Sequence, residues 1–124
     1  MPHPDTVEAF ISRVLQGVHA EAIEAYCTEQ VSMRENFGEA RQGLALLVDN
    51  ERRVLAQMRT VRTECVRPVF VQGDHVVICW IFEFETLGGR RPRLEELAYR
   101  RWEGERIAEE QFFYDPAQLQ APGA

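Results

Sequence analysis

The stretch that most constrains this chain is Arg93 to Pro116, RLEELAYRRWEGERIAEEQFFYDP. It reads as two strands around a tight turn. Strand side chains alternate between faces, so Leu94, Glu96, Ala98, Arg100 and Trp102 share one face of the first strand. Arg93, Glu95, Leu97, Tyr99 and Arg101 share the other. Glu103-Gly104-Glu105 is the turn, where Gly104 is free to take positive φ. In the second strand, Arg106 to Tyr114, Ile107, Glu109, Gln111 and Phe113 face one way, and Ala108, Glu110, Phe112 and Tyr114 the other. Both faces mix large apolar groups with ionisable ones. An antiparallel sheet with one face in water keeps that face polar. Each face of this hairpin is therefore expected to pack, one on helices and the other on a second subunit. The charges among the apolar groups then need partners or a cavity.

The chain upstream supplies the rest of such a fold. Asp5 followed by Glu8 has the spacing of a capping box, and Val7, Phe10, Ile11, Val14 and Leu15 recur at helical spacing up to Gly17. A shorter helix is expected from about Ala20 to Cys27, with Ile23, Tyr26 and Cys27 on its apolar face. Val31, Met33 and Glu35 alternate as a short strand, and Asn36-Phe37-Gly38-Glu39 is a loop. A third helix runs from about Gly43 to Met58, with Leu44, Leu47, Val48, Val54, Leu55 and Met58 as its stripe. Thr60 to Val71 is a strand, bulged or at an edge near Pro68, which cannot donate to a ladder. After the turn Gln72-Gly73-Asp74, His75 to Thr86 is a strand with Val76, Ile78, Trp80, Phe82 and Phe84 on one face. Val77, Cys79, Ile81, Glu83 and Glu85 lie on the other. The fold class is α+β: a cone-shaped, curved antiparallel sheet with three N-terminal helices over its concave face. All 124 residues make one domain. The wide end of such a cone need not be filled, and small ligands sit in such hollows.

Composition narrows the function. The net charge is −6 and the pI about 5.1, which argues against a nucleic-acid backbone as partner, since phosphates demand clustered Lys and Arg. The start, MPHPDTVEAF, has neither the basic nor the apolar region of a signal peptide, and no apolar run is long enough to span a membrane. Cys27, Cys65 and Cys79 are odd in number and widely spaced, so reduced thiols in the cytoplasm are expected. His3, His19 and His75 show no metal-ligand spacing; neither a metal nor a cofactor is expected.

At this point the chain resembles a SnoaL-like member of the nuclear transport factor 2-like superfamily. The resemblance rests on Gly104-Glu105-Arg106-Ile107, Glu109, and Phe112-Phe113-Tyr114-Asp115-Pro116, which are similar to that family's closing pattern. The strand His75-Val76-Val77-Ile78-Cys79-Trp80-Ile81-Phe82 and the helix pair from Leu15-Gln16-Gly17 to Tyr26 resemble it too. The resemblance implies a cone-shaped fold, often a homodimer through the outer sheet face. Its members include ketosteroid isomerases, polyketide cyclases, epoxide hydrolases, dehydratases and non-enzymatic binders. The cyclases carry a histidine after the central strand and an aspartate on the next. The nearest positions here are Thr86 or Leu87, and Ala98 or Arg100, so cyclase chemistry does not carry over. The aspartate and tyrosine of the isomerases have no placed counterparts either.

The candidate site is read from the residues themselves. Glu51 falls at the centre of the third helix's apolar stripe. Burial there raises a carboxyl pKa and makes it a candidate base; the alternatives are an arginine partner or a place at the stripe's edge. Arg100 is a candidate oxyanion stabiliser, and so is Tyr26, which has a hydroxyl to donate. Glu96 and Arg100 share a strand face with Trp102. They could point into the cone, form an internal ion pair, or make cross-strand pairs with Glu109 or Gln111. Met33, Trp80, Phe82, Phe84, Glu96, Gln111 and Phe113 are expected to line the pocket. The ligand is then a small, largely apolar organic molecule, and any catalysis is cofactor-free isomerisation, dehydration or cyclisation. The alternative is a non-catalytic ligand-binding or protein-interaction module. Val77, Cys79, Ile81, Leu97 and Tyr99 form an apolar patch on the convex face, for which a homodimer is the economical cover.

Overall fold

The computed structural model describes residues 1–120. The elements run α1 (Pro4–Leu15), α2 (His19–Tyr26), β1 (Cys27–Glu35), β2 (Arg41–Gln42), α3 (Leu44–Ala56), β3 (Met58–Gln72), β4 (His75–Thr86), β5 (Arg93–Glu103) and β6 (Arg106–Phe113). A short 3-10 turn, Pro116–Leu119, follows. The strands form one sheet in the order β2-β1-β6-β5-β4-β3. β3 to β6 are consecutive antiparallel neighbours, as their alternation implies. β1 pairs with β6 in parallel, which no local pattern announces, because β1 and β6 are far apart in the chain.

The helices begin and end for local reasons. α1 starts at Pro4, whose missing N–H is one the first turn leaves unpaired anyway. The ring of His3 accepts from the Asp5 N–H at 3.0 Å. The Asp5–Glu8 capping box does not form: Glu8 reaches β3 instead and takes both prongs of Arg67 at 2.9 and 2.7 Å. α2 stops one residue earlier than its apolar face suggests. Cys27 is already extended, with ψ 153°, and opens β1 well before Val31. α3 ends at Ala56, so Met58 begins β3 instead of closing the helix. The expected irregularity near Pro68 is present as a register shift between Val66 and Phe70, and β3 is a sheet edge.

The core lies between the helices and one sheet face. Val7, Phe10, Ile11 and Val14 of α1 and Leu47 of α3 join Val31, Val76, Ile78, Trp80, Ala98, Trp102 and Ile107 in one buried cluster. Each large side chain so buried contributes about 1.5–3 kcal/mol relative to exposure. Packing is closed around Trp102 and Ile107 and opens toward Phe82 and Phe84, which are only half-buried.

One irregularity sets the character of the interior. Arg101 pairs with Glu109, but Trp102 pairs with Ile107, leaving Ala108 without a partner on β5. Such a bulge shifts side-chain parity by one. Ile107 therefore faces the core, and beyond the bulge so do Glu110 and Phe112, while Gln111 and Phe113 turn away. Strict alternation from Ile107 put Gln111 and Phe113 inside; the bulge reverses that choice.

Candidate functional site

The open end of the cone is a cavity of about 460 Å³, within the range of small-molecule sites. Its walls are mostly apolar: Phe10 and Val14 from α1, Leu47 and Val54 from α3, Met33 from β1, Trp80, Phe82 and Phe84 from β4, Leu94 from β5 and Phe112 from β6. Trp80, Phe82 and Phe84 stack in sequence, with centroids 6.1 and 5.9 Å apart. They do so because residues two apart on a strand stand side by side on one face.

The floor holds a buried ion pair. Arg100 and Glu110 are register partners on β5 and β6, and Arg100 Nε donates to Glu110 Oε2 at 2.6 Å. The expected partners Glu109 and Gln111 lie on the outer face; the bulge brings Glu110 inward in their place. The guanidinium carbon lies 4.9 Å from the Phe10 ring centroid and 5.2 Å from that of Phe112, so two π faces replace water around the cation. Arg100 Nη1 has no hydrogen-bond partner. The Nε contact holds the guanidinium in place, and Nη1 keeps an unused donor beside the cavity.

Glu96 is the carboxyl with the most altered chemistry. It is 9% exposed and sits opposite Trp80 in the sheet register. Burial pushes its pKa up to about 7. Arg100 pulls the value down, and the negative charges of Glu110, Glu51 and Glu35 add to the rise. Near neutral pH this group exchanges a proton readily, as a general acid or base must.

The helical wall carries Glu51. Its partner is neither an arginine nor solvent alone. Glu51 Oε1 lies 3.7 Å from His19 Nδ1, while His19 Nε2 lies 3.2 Å from Thr63 Oγ1. The His19 ring also meets Phe82 edge-on at 5.5 Å. His19 is buried and opens α2, one residue before the start that apolar spacing suggests. At the rim, the Tyr114 hydroxyl donates to Glu35 Oε2 at 2.8 Å. Burial first, and that acceptor second, push the Tyr114 pKa up to about 12.

Seven of the ten residues singled out from the sequence therefore reach the cavity: Met33, Glu51, Trp80, Phe82, Phe84, Glu96 and Arg100. Three do not. Tyr26 packs edge-on behind Phe10 at 5.5 Å, so its hydroxyl is not at the wall. Gln111 donates to the Asn36 carbonyl at 2.7 Å, and Phe113 meets Phe37 at 5.6 Å. Sequence reasoning missed His19, Glu35, Glu110, Phe112 and Tyr114 at the wall. The last three share a strand face in the sequence, and choosing that face was the only signal needed. Among the described residues no three His, Cys, Asp or Glu side chains cluster as metal ligands would, and no helix is long and apolar enough to cross a membrane.

Comparisons with known proteins agree with this fold. The model of the SnoaL-like domain matches residues 7–110. Among curated proteins, none matches the sequence. Solved structures share the fold at low identity. One assigned as a SnoaL-like polyketide cyclase from Mesorhizobium loti is 20% identical, with TM-score 0.74 over 89% of this chain and 97% of that one. A protein of ketosteroid isomerase-like fold from Catenulispora acidiphila, in complex with trimethylamine, is 20% identical, with TM-score 0.77 over 96% and 95%. An LEH-like epoxide hydrolase from M. tuberculosis is 16% identical, with TM-score 0.71 over 93% and 84%.

Proposed function

The chain belongs to the SnoaL-like domain family, and from that premise we propose that its cavity takes a small, largely apolar organic molecule and transforms it by cofactor-free acid–base chemistry, as a cytoplasmic homodimer. The observation that carries this reading is Glu96: a buried carboxyl with pKa about 7 in an otherwise apolar hollow. Glu51, on the helical wall, is the base that takes a proton from a carbon next to a carbonyl. His19, 3.7 Å away, orients it. Glu96, protonated for much of the time near neutral pH, donates to the oxygen that becomes enolic. The field of Arg100 favours negative charge developing there, tempered by Glu110. Isomerisation, dehydration and ring closure all pass through such an intermediate.

A second reading has its own support. Arg100 is tied to Glu110 and Glu35 to Tyr114, as expected of a binding module whose polar groups are merely satisfied. One experiment separates the two. The protein is incubated with cyclic ketones and enones of fitting size in heavy water, and deuterium uptake beside the carbonyl is followed by mass spectrometry. Uptake should fall by about 100-fold or more in Glu51→Gln and in Glu96→Gln, the usual contribution of a positioned acid or base. Binding without uptake supports the module. Uptake that is unchanged in both variants removes these residues from the mechanism.

A further inference from the structure

The rim of the cavity carries two cations that the apolar reading does not use. Arg41, on β2, and Arg90, in the loop between β4 and β5, are exposed and line the cavity. Most arginines near carboxylates are already engaged: Arg52 with Glu24, Arg59 and Arg91 with Glu85, Arg67 with Glu8, Arg101 with Glu103 and Glu109, Arg100 with Glu110. Among the described residues, the only cavity-lining arginines with no salt bridge are Arg41 and Arg90. Arg90 Nη2 donates to the Leu119 carbonyl at 3.0 Å, which leaves most of its donors free. Leu119 itself lines the cavity, so Arg90 stands where the apolar wall meets water.

Among the described residues, no carboxylate that lines the cavity forms a salt bridge with Arg41 or Arg90. Glu35 is held by the Tyr114 hydroxyl, Glu110 is spent on Arg100, and Glu51 faces His19. The chain as a whole is acidic, at −6, so two unpaired guanidinium groups at the mouth of its cavity run against the average charge. Guanidinium forks suit planar or tetrahedral oxyanions.

We infer that the ligand of this cavity is an apolar molecule with one anionic end, a carboxylate or a sulfate- or phosphate-like group, which stays at the rim between Arg41 and Arg90 while the apolar body fills the hollow. This rests on the apolar-cavity reading above and adds the polarity and orientation of the ligand. An anionic end at the rim leaves the opposite end of the molecule toward Glu96 and Arg100, so the chemistry falls on the part furthest from the charge.

A matched pair of dyes tests it. 1-Anilinonaphthalene-8-sulfonate and N-phenyl-1-naphthylamine share one ring system and differ by the sulfonate. Fluorescence titration of the protein should show the sulfonate binding about tenfold tighter, the combined factor of two half-solvated ion contacts of about threefold each. The preference should shrink as salt is raised. In Arg41→Gln/Arg90→Gln it should vanish, with binding of the neutral dye unchanged. If both dyes bind equally in the wild type, or if the preference survives the double substitution, the anionic-end inference is overturned and the apolar cavity stands. If neither dye binds, the apolar-cavity reading fails, and this inference with it.

Discussion

Replacing Glu96 with Gln keeps the shape of the buried acid and removes its titration. The consequence follows from where the carboxyl sits. In the unfolded chain it titrates near its ordinary 4.5, and in the folded protein near about 7. At about 1.4 kcal/mol per pH unit, the folded state favours the protonated form by about 3 kcal/mol. The pKa is raised on folding, so this stability is fully present below about pH 4.5. It is lost as the pH rises to about 7, where folding must bury an ionised carboxylate. Wild type and Glu96→Gln should therefore have similar stability at about pH 4.5, and the variant should gain on the wild type by about 3 kcal/mol by about pH 8. Urea denaturation of both proteins across this range measures the difference. Glu8, Asp74 and Glu105 are held below their ordinary values by Arg67, by the chain's amino terminus, and by Thr6 with the His3 N–H, respectively. They titrate lower and are common to both proteins, so they cancel. A stability difference that stays flat across the range would refute the burial argument, and with it the assignment of Glu96 as the poised proton carrier.

Two further outcomes can be checked directly. Glu110→Leu strands the buried Arg100 cation beside Phe10 and Phe112, and should cost about 3–5 kcal/mol in urea denaturation. The double variant Arg100→Met/Glu110→Leu should recover most of that; a double variant no more stable than the single one would show that the floor depends on the charges themselves. The proposed homodimer would cover Leu97, Tyr99 and Phe70, which are 43–63% exposed on the outer face. Native mass spectrometry should find two copies in the wild type and one in Tyr99→Glu, and a monomeric wild type would remove the outer face as an interface.

Much of the fold was legible because its signals are local. The alternation of Val76, Ile78 and Trp80 put their strand face in the core. Leu94 to Trp102 likewise kept one inward face, including the ionisable Glu96 and Arg100. Gly104 marked the β5–β6 turn, and takes φ 59° there. The mixture of charge and bulk in the terminal hairpin called for partners or a cavity, and on the inner face Arg100 has both, Glu110 beside it and the hollow at its side.

What only the tertiary structure decided lies at a single residue and across long separations. Ala108 bulges out of the ladder, and nothing in EGERIAEEQFF marks which residue will do so, because a bulge is a property of the pairing of two strands and not of one strand's pattern. That one residue decides that Glu110 meets Arg100 and that Phe112 and Tyr114 face the cavity. The partner of Glu51 is likewise a matter of helix packing: His19 reaches it from α2 and meets Thr63 on β3, contacts no period reveals. The sequence determined the order of the helices and the longer strands, since alternation and helical spacing act over a few residues. The choice of which charged groups meet in the interior belonged to the assembled sheet, where register and packing act between segments far apart in the chain.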